Sequence, residues 1–285
     1  MALIECRELT HVYLKGSPME TEALSRVTLS INAGEFVGII GPTGSGKSTL
    51  IQHFNALLRP TSGIVRVGGI NTADPKADLR TIRRQIGLVF QYPEHQLFEE
   101  TVAEDVAFGP RNLGLPEEDV KQRVDDALRA VGIDPSRFGQ RSPFSLSGGE
   151  MRRIAIAGVL AMMPQVLVLD EPAAGLDPQG KVEILNRIRD LHTSRQLTVI
   201  LITHRMDDAA ELTRRLIVLN KGRVAMDGSV RDVFARAQEL HAMGLGVPVL
   251  TELVQRLRRR GLPMRADAVT QDEAHRAIKE ALAWN

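Results

Sequence analysis

The segment Gly41-Pro42-Thr43-Gly44-Ser45-Gly46-Lys47-Ser48-Thr49 constrains this chain more than any other part of it. It fits the pattern G-x-x-x-x-G-K-[ST]. It follows an apolar run, Phe36–Ile40, and precedes a helical stretch that starts at Ser48. Strand, glycine-rich turn and helix, in that order, is the setting in which this pattern holds phosphate. The glycines let the backbone curl so that N–H groups from about Gly44 to Thr49 converge on anionic oxygens. The helix start adds its dipole. Lys47 brings a point charge to the β- and γ-phosphates, and Ser48 offers a hydroxyl to Mg²⁺.

The runs around this segment set the fold class. Val27–Ile31, Phe36–Ile40, Ile64–Val67, Ile86–Phe90, Val166–Leu169, Thr198–Thr203 and Leu216–Leu219 are short, apolar and rich in β-branched residues. Several are continuous rather than alternating, as in strands buried on both faces. Helical patterns lie between them. Glu117–Val131 follows Pro116 and puts Val120, Val124, Ala127, Leu128 and Val131 on one face. Pro178–His192 does the same with Val182, Leu185 and Ile188. Strands alternating with helices predict an α/β fold with a mostly parallel sheet core. Residues from about 93 to 163 carry helical patterns and no clear strand, which predicts a helical subdomain inserted into the sheet domain.

The composition shifts near Gly228. Val230–His241 is followed by the turn Gly244-Leu245-Gly246-Val247-Pro248. A helix is expected at Val249–Arg260, with Val249, Leu250, Leu253, Val254 and Leu257 on its apolar side and Arg256, Arg258, Arg259 and Arg260 on a solvated face. Another opens at Thr270, where Thr270 and Glu273 fit a capping box and Ala274, Ala277, Ile278, Ala281 and Leu282 face inward. The expected division is a main domain over 1–240 and a small helical extension over 241–285.

Composition excludes several alternatives. The chain has 285 residues, 43% apolar and 25% charged, the balance of a globular protein rather than a disordered or fibrous one. A formal net charge of +1 gives no global argument for nucleic acid. The lone Cys6 cannot form an internal disulfide and fits a reducing compartment. Glu5, Arg7 and Glu8 break the opening residues, so no signal peptide is expected there. No uninterrupted apolar run reaches the ~18 residues needed to span a bilayer; the nearest candidate, Ile154–Leu169, is broken by Pro164 and Gln165, so a membrane role is expected only through a partner.

A second site completes the phosphate chemistry. Val166–Leu169 reads as a buried strand that ends in Asp170-Glu171. Asp170 at the strand tip is placed to hold Mg²⁺ through water, and Glu171 to face the γ-phosphate and polarise an attacking water. Further on, Leu146-Ser147-Gly148-Gly149-Glu150 opens a helix that runs to about Met163, and so presents further N–H groups to an anion.

With these pieces in this order, the chain resembles the ATP-binding cassette (ABC) family over about residues 2–235, and residues 146–150 match that family's signature sequence. The resemblance implies a P-loop fold of ABC type, with antiparallel N-terminal strands beside the parallel core. It implies ATP and Mg²⁺ as ligands, with Gln91 reaching metal and water and Tyr13 stacking on adenine. It implies that His204 holds the γ-phosphate and that Asp177 crosses a dimer. Each ATP would be sandwiched between Gly41, Thr43, Gly44, Ser45, Gly46, Lys47, Ser48 and Thr49 of one chain and Ser147, Gly148 and Gly149 of a second ATPase, identical or not. Two positions depart from the family's common pattern: Glu150 stands where glutamine is frequent, and Ala173 where Thr or Ser is frequent. Neither removes a phosphate ligand.

A narrower resemblance is carried by Gln91-Tyr92-Pro93-Glu94-His95-Gln96-Leu97-Phe98, by Val106-Ala107-Phe108-Gly109-Pro110, and by the Gly244–Pro248 turn with its helices. These are similar to the ATPases of energy-coupling-factor (ECF) transporters, and Tyr92 and Gly109-Pro110 are more like the second of the two ATPases. That resemblance implies an importer of vitamins or transition-metal ions. It implies attachment at the cytoplasmic face of the cell membrane, a transmembrane coupling subunit and a substrate-binding membrane subunit as partners, and no nucleic acid. Tyr92, Leu97 and Phe98 are expected to offer apolar surface to a helix of the coupling subunit, and Glu94 to meet a cation on it. An ATPase of an ordinary ABC importer is the alternative. An ABC-type ATPase outside transport is a further one, although chromosome-type ATPases carry long coiled-coil arms and no sustained heptads occur here.

Overall fold

The computed structural model describes residues 2–262 and 271–282. A long strand, β1 (Ala2–Tyr13), pairs antiparallel with β2 (Thr21–Asn32), and β3 (Phe36–Ile40) leads into helix α1 (Lys47–Phe54). β4 (Ser62–Val67), β5 (Ile70–Asn71), α2 (Leu79–Gln85) and β6 (Ile86–Val89) follow. Four helices come next: α3 (Val102–Asn112), α4 (Glu117–Ala130), α5 (Pro135–Phe138) and α6 (Gly148–Leu160). β7 (Val166–Asp170), α7 (Pro178–Arg195), β8 (Thr198–Ile202), α8 (Met206–Leu212), β9 (Arg215–Asn220) and β10 (Arg223–Ser229) complete the sheets. The chain continues through α9 (Val230–Ala235), α10 (Ala237–Ala242), α11 (Val249–Arg259) and α12 (Gln271–Leu282).

The strands form two sheets. One has the order β10-β9-β3-β8-β7-β6, with every neighbouring pair parallel except β9 with β10. The other is antiparallel in the order β2-β1-β4-β5. Alternation along the parallel strands explains why their central residues are continuously apolar. Leu167, Leu169, Val199 and Leu201 enter a core shared with α3, α4, α6 and α7. Val166, Val168, Ile200 and Ile202 enter the core between the two sheets, with Leu50, Ile51 and Phe54 of α1. Neither face meets water, so both face-sets must be hydrophobic. Each fully buried side chain of this kind contributes roughly 1.5–3 kcal/mol.

Between β6 and β7 in the chain the described elements are helical. In α4, Val120, Val124, Ala127 and Leu128 are buried, as the spacing predicts. α7 differs from expectation. Its buried stripe is Ile184, Leu185, Ile188 and Leu191, and Val182 lies off that stripe, 56% exposed. In α11, Val254 is buried and Leu250 and Leu257 pack beside it, whereas Val249 and Leu253 face out at 66% and 41% exposure. A seven-residue spacing from Leu250 to Leu257 through Val254 already closes one helical stripe, and the other two residues fall beside it. Val254 meets Ala274, Ala277 and Ala281 of α12. Thr270, and with it the expected capping box, lies outside the described residues, as does the side chain of Leu282. Among the described residues no helix is long and apolar enough to cross a membrane.

Candidate functional site

The glycine-rich loop leaves the C-terminal end of β3, and its shape depends on close approach. A Cβ on Gly41 would stand 2.3 Å from the Leu219 carbonyl oxygen, and one on Gly46 would stand 2.6 Å from that of Ala23. Gly46 also has φ 101, a left-handed conformation that glycine takes without strain. It occupies the N-cap of α1, where no side chain caps the helix. Helices α2, α3, α5, α6, α7 and α9 have a side-chain cap, whereas α4, α8, α10 and α11, like α1, have none. The first turn of α1 is thus left with its amides for an external anion. Thr43, Gly44 and Ser48 are exposed, while Ser45 is buried and holds the loop: its N–H donates to Pro42 O and its carbonyl accepts from Gly222 N.

Lys47 curls over the loop. Its Nζ donates to Gly41 O at 2.7 Å and to Pro42 O at 3.0 Å. Burial lowers its pKa, and the carboxylates of Asp170 and Glu171 act against that shift. A half-buried cation held by two carbonyl oxygens and, at 3.5 Å, the Ser45 hydroxyl has no anionic partner in contact among the described residues and gains by meeting phosphate. On the other side of α1, the Tyr13 hydroxyl lies 3.2 Å from Thr49 Oγ1, and its ring stands edge-on to His11 at 4.5 Å. Tyr13 is 37% exposed, so part of its ring is open beside the start of α1.

The acidic pair stands at the end of β7. Ser48 Oγ donates to Asp170 Oδ2 at 3.4 Å. Burial, and the neighbouring Glu171 carboxylate, raise the pKa of Asp170. A hydroxyl beside a carboxylate short of positive charge suits Mg²⁺, which takes one or two protein oxygens and fills the rest with water and phosphate. Among the described residues no group of three or more His, Cys, Asp and Glu side chains could hold a metal by itself. Glu171 has φ 52, a strained setting for a non-glycine residue. Its N–H donates to Ile202 O at 3.0 Å, tying it to the end of β8. Its Oε1 accepts from His204 N at 2.8 Å and faces His204 Nδ1 at 2.6 Å. Gln91 is exposed two residues beyond β6, whose Val89 pairs with Leu169 of β7.

The remaining expected residues lie elsewhere. Ser147, Gly148, Gly149 and Asp177 line one cavity of about 360 Å³, and no residue of the glycine-rich loop, nor Asp170, Glu171 or His204, lines it. Ser147 caps α6 in a reciprocal box with Glu150, whose Oε2 accepts from Ser147 N at 2.9 Å and from Ser147 Oγ at 2.7 Å. These bonds hold Glu150 below the usual carboxylate range. Glutamate at this position therefore acts as a helix-capping partner. Asp177 caps α7 through Oδ1, which accepts from Gly180 N at 2.7 Å.

The segment after Gln91 departs from expectation in two ways. Leu97 is buried, 5% exposed, in the core under α3 and α6, so it offers no surface. Glu94 already has its cation: Arg152 of this same chain. Tyr92 and Phe98 are exposed, and Phe98 meets Phe108 edge-on at 4.9 Å. Arg152 is the residue that sequence reasoning missed. Its signal was a charged position in phase with Ile156 and Leu160 on the buried face of α6.

Comparison with known proteins agrees with this geometry. A family model described as "ABC transporter" matches residues 24–174. The energy-coupling factor transporter ATP-binding protein EcfA2 of Symbiobacterium thermophilum is 56% identical, over 96% of this chain and 95% of that one. Its counterpart of the same name in Clostridium perfringens is 48% identical over 99% of both. Among solved structures, cbiO1 from Clostridium perfringens, described as part of the ABC transporter complex cbiONQ, superposes with a TM-score of 0.75 and 37% identity, covering 91% of this chain and 97% of that one. The ATP-binding cassette MJ0796, solved as a dimer bound to ADP and Pi, gives a TM-score of 0.71 at 33% identity, with 80% and 99% coverage. The chain belongs to the ABC transporter family of ATPases and, within it, to the ATP-binding, ATP-hydrolysing proteins of energy-coupling factor transporters.

Proposed function

We propose that this chain powers an ECF importer of vitamins or transition-metal ions by closing on a second ATPase, identical or not, around two ATP molecules. The observation that carries the reading is the division of the nucleotide-binding residues. One set surrounds the loop at the end of β3, and the other lines a separate cavity at the start of α6. A chain with two half-sites that share no lining residue completes both by pairing head-to-tail with another such chain.

In this reading the amides of Gly44 to Thr49 and the Lys47 ammonium hold the triphosphate, and Tyr13 stacks on the adenine. Mg²⁺, when bound by Ser48, Asp170 and Gln91, supplies charge neutralisation on the phosphate oxygens. Glu171 orients a water and takes its proton, and His204 positions that carboxylate and reads the γ-phosphate. From the opposite chain Ser147, Gly148 and Gly149 add N–H donors, and Asp177 reaches across the seam. The negative triphosphate thus holds two surfaces together, and its cleavage releases them. Tyr92, Phe98 and Phe108 form the apolar surface for a transmembrane coupling subunit, which itself holds a substrate-binding subunit. The assembly stands at the cytoplasmic face of the membrane. Helices α11 and α12 extend the main domain and contribute to pairing of the ATPases.

The deciding experiment is light scattering of the chain with its copurifying ATPase, with and without a non-cleavable ATP analogue and Mg²⁺. Analogue-dependent association supports the reading, and an unchanged mass at saturation overturns it. Identification of the membrane proteins that copurify tests the transport assignment.

A further inference from the structure

The side chain that ties the functional segments together is Arg152. It sits in the second turn of α6, five residues after the cap Ser147, and is 2% exposed. Its Nε donates to Glu94 Oε2 at 3.2 Å, and its Nη2 to Glu94 Oε1 and Oε2 at 2.9 and 3.1 Å. Its Nη1 donates to Pro172 O at 3.1 Å and to Ala174 O. All three guanidinium nitrogens are thus engaged, Nε and Nη2 by the Glu94 carboxylate and Nη1 by two backbone carbonyls.

The partners are what give this arrangement meaning. Glu94 lies three residues after Gln91, in the segment that carries the exposed Tyr92 and Phe98. Pro172 and Ala174 lie between Glu171 and Asp177, in a turn where Ala174 N donates back to Glu171 O. A Cβ on Gly149 of the signature segment would stand 3.9 Å from the Leu176 side chain of that turn. One buried cation therefore joins the helix that presents Ser147, the turn that presents both Glu171 and Asp177, and the segment that faces the proposed membrane partner. A planar, five-donor group fixes orientation as well as distance, which an ammonium cannot do. A buried charge that loses a partner pays a full desolvation cost, so the three segments shift as a unit or the pair breaks.

We infer that Arg152 is a positioning residue for ATP hydrolysis: it holds the Pro172–Ala174 turn, and through it Glu171, in register with the segment after Gln91 and with the signature helix. The inference rests on the proposed roles of Glu171 and Ser147 and goes beyond them, because Arg152 touches neither nucleotide nor metal in that reading.

The test uses the complete transporter complex, purified with parent chain or with Arg152→Lys, Arg152→Gln or Glu94→Gln. Two quantities are read: fluorescent-ATP affinity, and kcat per nucleotide-competent site, counted by that titration. The expectation is affinity within about threefold of the parent and kcat per site reduced tenfold or more in Arg152→Gln. Arg152→Lys, which keeps the charge but not the fork, and Glu94→Gln, which keeps a neutral acceptor, should fall between. Loss of folding alone would lower the number of competent sites and leave kcat per site unchanged. The inference is overturned if kcat per site stays within twofold of the parent in the variants that assemble, or if affinity falls in step with kcat. A parent complex that fails to hydrolyse ATP, or a Glu171→Gln complex that hydrolyses it normally, refutes the underlying reading instead.

Discussion

His204 reaches Glu171 through two of its own atoms and one carboxylate oxygen: the backbone N–H at 2.8 Å and ring Nδ1 at 2.6 Å from Oε1. The contact spans the gap between the ends of β7 and β8, and a third bond, Glu171 N–H to Ile202 O, closes it from the other side. The carboxylate is thereby aimed while its second oxygen is left for other work. The left-handed backbone of Glu171 is part of the same aiming, since it turns the chain abruptly after the strand.

Removing the charge while keeping the shape tests the role of that carboxylate. Glu171→Gln is expected to retain ATP binding and to lose turnover by roughly 10²–10⁴-fold, the span of a general base, leaving an ATP-bound dimer visible by size-exclusion chromatography. Near-normal hydrolysis in this variant would falsify the base assignment.

Lys47 is expected to govern affinity. Lys47→Ala should weaken ATP binding roughly ten- to hundredfold, as loss of a charged hydrogen bond does, read by fluorescent-nucleotide titration. Its pH dependence has a definite sign. Burial already lowers the Lys47 pKa below 10.5. Phosphate favours the protonated form, so affinity should fall as pH rises through the alkaline range before 10.5 is reached. A flat affinity over that range would contradict this account.

Leu97 and Phe98 are neighbours in sequence with opposite fates. Leu97→Ala removes buried volume from the core and should cost about 2–5 kcal/mol of stability by urea unfolding. Phe98→Ser should leave stability and ATP binding near the parent values and reduce recovery of the membrane subunit in copurification. If both variants behave alike in the two assays, the division of roles between them is wrong.

His53, inside α1, supplies a second pH effect. Its ring is fully buried, Nδ1 meets Thr49 O at 2.8 Å and Nε2 has no partner. Burial pushes its pKa from 6.5 down to about 4. Above pH 6.5 the ring is neutral in both folded and unfolded chains and pH has no effect through it. Below, the unfolded chain takes a proton that the folded one refuses, so stability falls as pH drops towards 4, by about 3 kcal/mol in the limit. Melting temperature followed through this window should drop more steeply for the parent than for His53→Gln. Equal slopes would remove His53 from the explanation.

What the sequence by itself determined were the features whose cause is local. The phosphate loop was legible because its glycines and its lysine are contiguous and the backbone folds over a few residues. The parallel strands were legible because burial on both faces leaves only apolar residues. The first strand was not visible as an apolar run. Its inward residues, Ile4, Cys6, Leu9 and His11, lose their two-residue phase where the register shifts between Cys6 and Leu9, at Glu8 with φ 49. Only the tertiary structure decided which of Leu97 and Phe98 is core, that Glu94 is paired within the chain, and that Glu171 and His204 share an oxygen. It also decided that Ser147 and Asp177 line a cavity apart from the phosphate loop. These depend on which side chains from distant segments compete for the same space and the same charge, and no window of neighbouring residues carries that information.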